Sequence, residues 1–185
     1  MKISKQLSLA FLSLTILMLF GACSDDDKAS DAINSDSGEV HSYHITVENG
    51  DEFKGEIPKY TGDIYYLSAF VEHNEEENKD NLAMLLYDTG KCNIGIGFLL
   101  DENNNPIPES NPRGISFNQW NGEKVYKSVQ YTATLENYQT HTIDLYNEGV
   151  EDNVASFTLH FEGTFSNSLT EEIVSASGSI TIAAP

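Results

Sequence analysis

The chain reads as an all-β protein, an antiparallel β-sandwich of about nine or ten strands, with an up-and-down β-barrel as the alternative closure. Three observations predict this. Apolar residues alternate with polar or small ones at period two in segment after segment, the pattern of a strand with one buried and one wet face. Turn dipeptides punctuate those segments at Asn49-Gly50, Thr61-Gly62, Asn121-Gly122, Glu136-Asn137 and Glu148-Gly149. Strands with one solvent-facing side each belong to mainly antiparallel sheets.

Before this strand-rich body comes a different kind of sequence. Lys2 and Lys5 make a basic start and Leu7 to Phe20 is an uncharged, mostly apolar run, so residues 1–22 read as a secretory signal. A spanning helix needs about 20 apolar residues, and this run stops short of that before meeting three aspartates. An ordinary cleavage site wants small side chains at the first and third positions before the cut, whereas a cut before Cys23 puts Phe20 in the third. Gly21-Ala22-Cys23 instead resembles the lipobox of bacterial lipoproteins, with Phe20 standing where Leu is commonest. The resemblance implies that Cys23 becomes the mature N-terminus and carries acyl chains such as palmitate. Two or more chains, at about 0.8 kcal/mol per buried methylene, suffice to hold a protein on a bilayer. The following Ser24, Asp25, Asp26 and Asp27 are similar to the lipoprotein export signal of Bacteroidota. That likeness implies a lipid-anchored protein of the outer membrane facing the cell exterior; the plain alternative is an acidic start to a solvated tether.

Residues 23–40 hold Asp, Ser, Ala, Asn, Lys, Gly and Glu with little to bury, and read as an acidic disordered tether. In flexible-coil statistics about 16 such residues span on the order of 20 to 25 Å. The domain is expected over residues 41–185. Removing 22 residues from 185 leaves 163, enough for one domain with its own core. The signal holds two of the 10 basic residues and none of the 29 acidic ones, so the mature chain carries a formal charge of −21. Such a charge argues against nucleic acid as a partner. With Cys23 taken by lipid, Cys92 has no cysteine to pair with and reads as a buried thiol.

Strands follow in order at Tyr43 to Glu48, Glu52 to Ile57 and Ile64 to Glu72. Then comes a segment that fits two readings. Residues 74–87 begin with Glu75-Glu76-Glu77 and continue to Leu82-Ala83-Met84-Leu85-Leu86; an acidic loop followed by a central buried strand is preferred, and a helix closed by Gly90 is the alternative. Cys92, Ile94, Ile96, Phe98 and Leu100 form one apolar face. Further strands are expected at Ile115 to Trp120, Val125 to Glu136 and Tyr138 to Tyr146. The alternation is clear again in Ala155, Phe157, Leu159, Phe161 and Phe165, and in Val174, Ala176, Ile180 and Ile182. A lipoprotein start joined to this body resembles the small β-sandwich lipoproteins of Bacteroidota, a likeness of pattern that carries over no functional residue.

Candidate binding residues come from side-chain chemistry. Asp101, Asn103 and Asn105 place oxygens at the first, third and fifth positions of a calcium-type loop, but Pro106 and Pro112 stand where the glycine and the closing glutamate belong. An EF-hand is excluded. A looser, weak Ca2+ site through Asp101 or Glu109 stays open beside a plain polar loop, and no other cofactor or metal is implied. The loop from Asp101 to Gly114 is long and holds three prolines, features that suit a recognition surface. Trp120 precedes a turn, and Tyr126, Tyr138 and Tyr146 fall on the expected polar faces; flat rings beside amides and carboxylates suit the C–H faces and hydroxyls of carbohydrate. The rival reading is tyrosine as a strand-surface residue by propensity. His41 and His44 should point to opposite faces, while His141 and His160 could meet across neighbouring strands without a visible third ligand.

Neither a Gly-x-Ser-x-Gly elbow nor a His-Glu-x-x-His pair is present, so the chain is not read as an enzyme. The expectation is a lipid-anchored cell-surface binding or accessory protein capturing an extracellular glycan. The alternatives are an envelope structural or adhesion protein that binds another protein, and a barrel that encloses an apolar ligand.

Overall fold

Every regular element among the described residues is a β-strand, as the alternation requires. The computed structural model describes residues 40–59, 69–108, 114–145 and 148–185. Its strands are β1 (Val40–Val47), β2 (Glu52–Pro58), β3 (Ala69–Asn74), β4 (Lys79–Asp88), β5 (Cys92–Leu100), β6 (Pro106–Ile107), β7 (Gly114–Gln119), β8 (Val125–Ile143), β9 (Asp152–Asn167) and β10 (Ile173–Ile182). Cys23, the acidic run Ser24 to Asp27, Glu109, Tyr146 and the Thr61-Gly62 turn lie outside the described residues.

All pairings are antiparallel and join the strands in the order β2-β1-β10-β9-β3-β4-β5-β7-β8, with β6 on β5 and a further pairing of β9 with β8. Strand β9 holds β8 along one edge; along the other it holds β10 and then, at Val154 and Ala155, β3. The sheet therefore curls back on itself. Two walls, β2-β1-β10-β9 and β4-β5-β7-β8, are joined by the β8–β9 hairpin on one side and by β3 on the other, an arrangement with both sandwich and barrel character.

The segment over residues 74–87 is turn and strand, not helix. Asn74 Oδ1 accepts the N–H groups of Glu76 (3.0 Å) and Glu77 (3.2 Å), so the acids sit in a tight turn. Along β4, Leu82, Met84 and Leu86 are buried while Leu85 and Tyr87 are exposed. The contiguous apolar run is thus an ordinary half-buried strand whose outer face is also apolar.

Strand β8 departs further from expectation. Glu136-Asn137 is not a turn between two strands: β8 runs through it opposite an unbroken β9, and the register shifts between Glu136 and Gln139. Asn137 takes φ 54°, a left-handed conformation that Asn tolerates, and the extra residue is absorbed as a bulge. A second shift lies between Ser128 and Gln130. There Gly163 faces β8 so closely that a Cβ would run into the Gln130 carbonyl oxygen and come 2.6 Å from the Tyr131 Cα.

Between the walls lies a core rich in aromatic rings. Phe117 of β7 stands 5.2 Å from Phe53 of β2, 5.1 Å from Tyr126 of β8 and 5.3 Å from Phe165 of β9. Burying each such side chain contributes about 1.5–3 kcal/mol, and tilted or edge-on ring pairs add about 0.5–1.5 kcal/mol. Cys92 is buried, as is the Tyr43 hydroxyl that donates to Asp88 Oδ2 at 2.7 Å. Burial pushes the Cys92 thiol up, away from a reactive thiolate. Strand β2 passes directly over this pair because Gly55 has no side chain; a Cβ there would stand 2.6 Å from the Tyr43 hydroxyl.

Candidate functional site

The residues expected to form a binding surface are distributed by the strand register, and only some reach solvent. Tyr126 does not. It pairs with Phe117, whose ring points into the core, and is fully buried. Its hydroxyl alone reaches the end of the sheet, donating to Asp51 Oδ2 at 2.6 Å and accepting from Asn49 Nδ2 at 3.0 Å. Lys124 pairs with the other Asp51 oxygen. Burial works against ionisation of Asp51, but the hydrogen bonds from Lys124 and Tyr126 outweigh it and hold the carboxyl below the usual carboxylate range. Tyr126 is therefore a structural clasp between the β1–β2 and β7–β8 turns. The bulge at Ser128 and Gln130 explains the reversal: a single alternation drawn through Val125, Val129 and Tyr131 cannot hold across it, and Val129 ends exposed.

Tyr138 is likewise turned inward, by the bulge at Glu136 and Gln139. Its ring packs against the core, and its hydroxyl is buried without a hydrogen-bond partner among the described residues. Asp101 stays at the surface but organises its own loop. Its Oδ1 accepts the N–H groups of Asn103 and Asn105 at 2.8 Å each, and Asn105 Nδ2 reaches Oδ2 at 3.1 Å. The Asn105 hydrogen bonds hold the Asp101 carboxyl below its ordinary value. Within the same loop β6 returns to pair with β5, through Leu100 with Pro106 and Leu99 with Ile107. Among the described residues, no group of three or more His, Cys, Asp or Glu side chains is placed to hold a metal ion. His141 and His160 are not brought together: His141 stands opposite Val154 and bonds Ser156 Oγ at 2.8 Å, whereas His160 stands opposite Thr134.

Trp120 is the candidate that remains exposed, at 46%. It closes the outward column of β7 that runs through Ser116 and Asn118, and its N–H bonds the Lys91 carbonyl at 2.9 Å. Directly across the sheet, Tyr87 of β4 pairs with Asn93 of β5, which pairs with Asn118 of β7. In the next row Leu85 pairs with Gly95, and Gly95 with Ser116. Partners in register present their side chains on the same face. Leu85, Tyr87 and Trp120 thus border a shallow face whose centre is Asn93, Gly95, Ser116 and Asn118. Leu85 Cδ1 lies 3.6 Å from where a Gly95 Cβ would stand, so the missing side chain leaves the floor low. Asn118 Nδ2 is used by the Gln119 carbonyl at 2.7 Å, while Asn93 Oδ1 is buried and accepts no hydrogen bond among the described residues.

Sequence reasoning missed Tyr87 and Leu85, because the run from Leu82 to Leu86 looked wholly buried. The signal that finds them is the pairing of β4 with the glycine-rich outer positions of β5. No protein-family profile, no curated protein and no solved structure matches this chain.

Proposed function

We propose that this protein is a binding module without catalytic activity, held by lipid at Cys23 on the outer membrane and facing the cell exterior, and that it captures an extracellular glycan on the outer face of β4, β5 and β7. The observation that carries this reading is the row of exposed Tyr87 and Trp120 beside the amides of Asn93 and Asn118 over the Gly95 floor. Rings take the apolar C–H faces of a sugar, amides exchange hydrogen bonds with its hydroxyls, and a low backbone floor lets the ligand approach closely.

Two rivals fit less well. Strand addition by a protein partner would use the edge of β2 that no described strand pairs, but β2 carries Glu52, Lys54, Glu56 and Pro58, the residue types that discourage it. Enclosure of an apolar ligand needs empty space between the walls, where the cluster around Phe117 packs ring against ring.

Affinity electrophoresis through gels cast with neutral glycans provides the test. A polysaccharide that retards the wild-type domain should retard Trp120→Ala and Tyr87→Ala at least about tenfold more weakly, a loss near 1.4 kcal/mol each. Equal retention of all three proteins would exclude this face.

A further inference from the structure

A second concave surface lies on the other wall, away from Trp120. It is an open groove of ≈ 690 Å³ across the outer face of β1, β10, β9 and β8, within the size range of small-ligand sites. Register builds it in two rows. Thr46 pairs with Ser177, Ser177 with Glu162 and Glu162 with Thr132. In the next row Ser175 pairs with Thr164 and Thr164 with Gln130, and Glu48 joins Ser175 through its backbone N–H at 2.9 Å. The positions between the rows point inward, and there β8 comes so close to Gly163 that a Cβ would stand 2.6 Å from the Tyr131 Cα.

The chemistry of the lining is one-sided. Five hydroxyls and the Gln130 amide supply both donors and acceptors, Glu48 and Glu162 supply negative charge, and no lysine, arginine or histidine is among the lining residues. Ser175 N–H is bonded to Glu48 Oε2 at 3.2 Å, which fixes that carboxylate at the rim. Glu162 is exposed, and among the described residues its carboxylate has no partner. The Tyr131 ring is turned inward, 6.1 Å from that of Phe98, so stacking contributes nothing here. Such a groove repels uronic acids, sulfated sugars and phosphates. A simple polyamine would satisfy the carboxylates and leave the hydroxyl donors unmet. A ligand with hydroxyls along its length and protonated amines at intervals satisfies both. Glu48 and Glu162 stand two strand spacings apart, roughly 10 Å across the sheet, a span that two linked pyranose rings cover.

We infer that this groove binds an oligosaccharide bearing free amino groups, with Glu162 and Glu48 as ammonium partners and the Ser and Thr hydroxyls of the two rows meeting the ring hydroxyls. The site is separate from the glycan face at Trp120 and does not depend on it.

Isothermal titration of the full domain with a glucosamine tetramer, at low salt and at a pH below that of amine deprotonation, tests this. Binding should weaken at least tenfold with the N-acetylated tetramer, which keeps the hydroxyls and loses the charge, and at least tenfold in Glu162→Gln. It should also weaken steeply as salt rises. Trp120→Ala should leave it unchanged, so failure here is distinguishable from failure of the Trp120 face. Absence of binding, equal binding of the two tetramers, or indifference to Glu162→Gln would each overturn the proposal. Thr132→Val, a surface change that keeps the strand, should give a smaller loss and separates hydroxyl recognition from charge alone.

Discussion

The outer faces of the two walls are built by the same strand alternation and differ in nearly everything else. Over β4, β5 and β7 the outward positions include Leu85, Tyr87 and Trp120 around small and amide side chains; in the groove over β1, β10, β9 and β8 they are serines, threonines, a glutamine and two glutamates, with His44 and His160 in the next row. The first face offers apolar area and few charges; the groove on the second offers charge and hydroxyls, with no ring turned into it. Their floors differ as well. Gly95 lies beneath the side-chain atoms of Ser116 and Leu85, which can adjust, whereas Gly163 lies against the backbone of β8. Alternation decides which residues face out. How tightly the strands beneath a face approach one another depends on where glycine stands.

The largest expected effect follows from that second floor. Gly163→Val should cost about 3 kcal/mol or more, since the new side chain meets main-chain atoms that cannot turn away. Chemical denaturation measures this, and an unchanged midpoint would mean that β8 can move off β9 at this contact.

A comparable effect is expected from pH on the inner side of the same wall. His41 is 4% exposed and its Nδ1 accepts the Ala183 N–H at 3.1 Å. Burial, and secondarily the Lys59 ammonium, lower its pKa from 6.5 to about 4. As pH falls, the unfolded chain takes up this proton before the folded one does. The contribution to stability is therefore complete above pH 6.5, declines between 6.5 and about 4, and is lost below that. The decline amounts to about 3 kcal/mol. Denaturation curves recorded across this window should show the slope, and His41→Asn, which keeps an acceptor for Ala183, should flatten it. A slope that survives the substitution would assign the acid sensitivity elsewhere.

Strand β8 pairs with β7 and with β9, and two of its tyrosines sharpen the contrast. Tyr126→Phe removes a hydroxyl with two partners and should cost about 1–2 kcal/mol. Tyr131→Phe removes a buried hydroxyl with none among the described residues and should be neutral or slightly stabilising. Thermal melts of the two variants in parallel provide the check; equal losses would place an unseen partner at Tyr131. The smallest effect belongs to Gly95→Ala, about 1 kcal/mol or less, because the nearest atoms to its Cβ are Ser116 Oγ at 3.0 Å and Leu85 Cδ1 at 3.6 Å, both on side chains that can adjust. The readout that matters there is glycan retention, which should fall as the floor rises.

Much of this architecture is legible in the amino-acid order, and the exceptions share a cause. The inward set Cys92, Ile94, Ile96, Phe98 and Leu100 is buried as the alternation predicts, and the Asn49-Gly50 and Asn121-Gly122 turns fall between strands. Exposure of Trp120 beside its turn was also readable. Tyr126 and Tyr138 were not, because each lies next to a bulge, and a one-residue insertion moves every following side chain to the other face. Glu136-Asn137 carries a turn signal that fits a bulge equally well; the strand running opposite it decides between them.

By itself the sequence determined which residues can be buried and that the chain folds as antiparallel strands, because side-chain alternation is a property of neighbours along the backbone. Only the tertiary structure decided that β8 is a single bent strand, that the Tyr126 hydroxyl clasps Asp51, that Tyr87 stands in line with Asn93 and Asn118, and that Glu162 shares a groove with Glu48. Those outcomes depend on register between strands distant in sequence, and register is set by bulges and close backbone approaches that no local pattern contains.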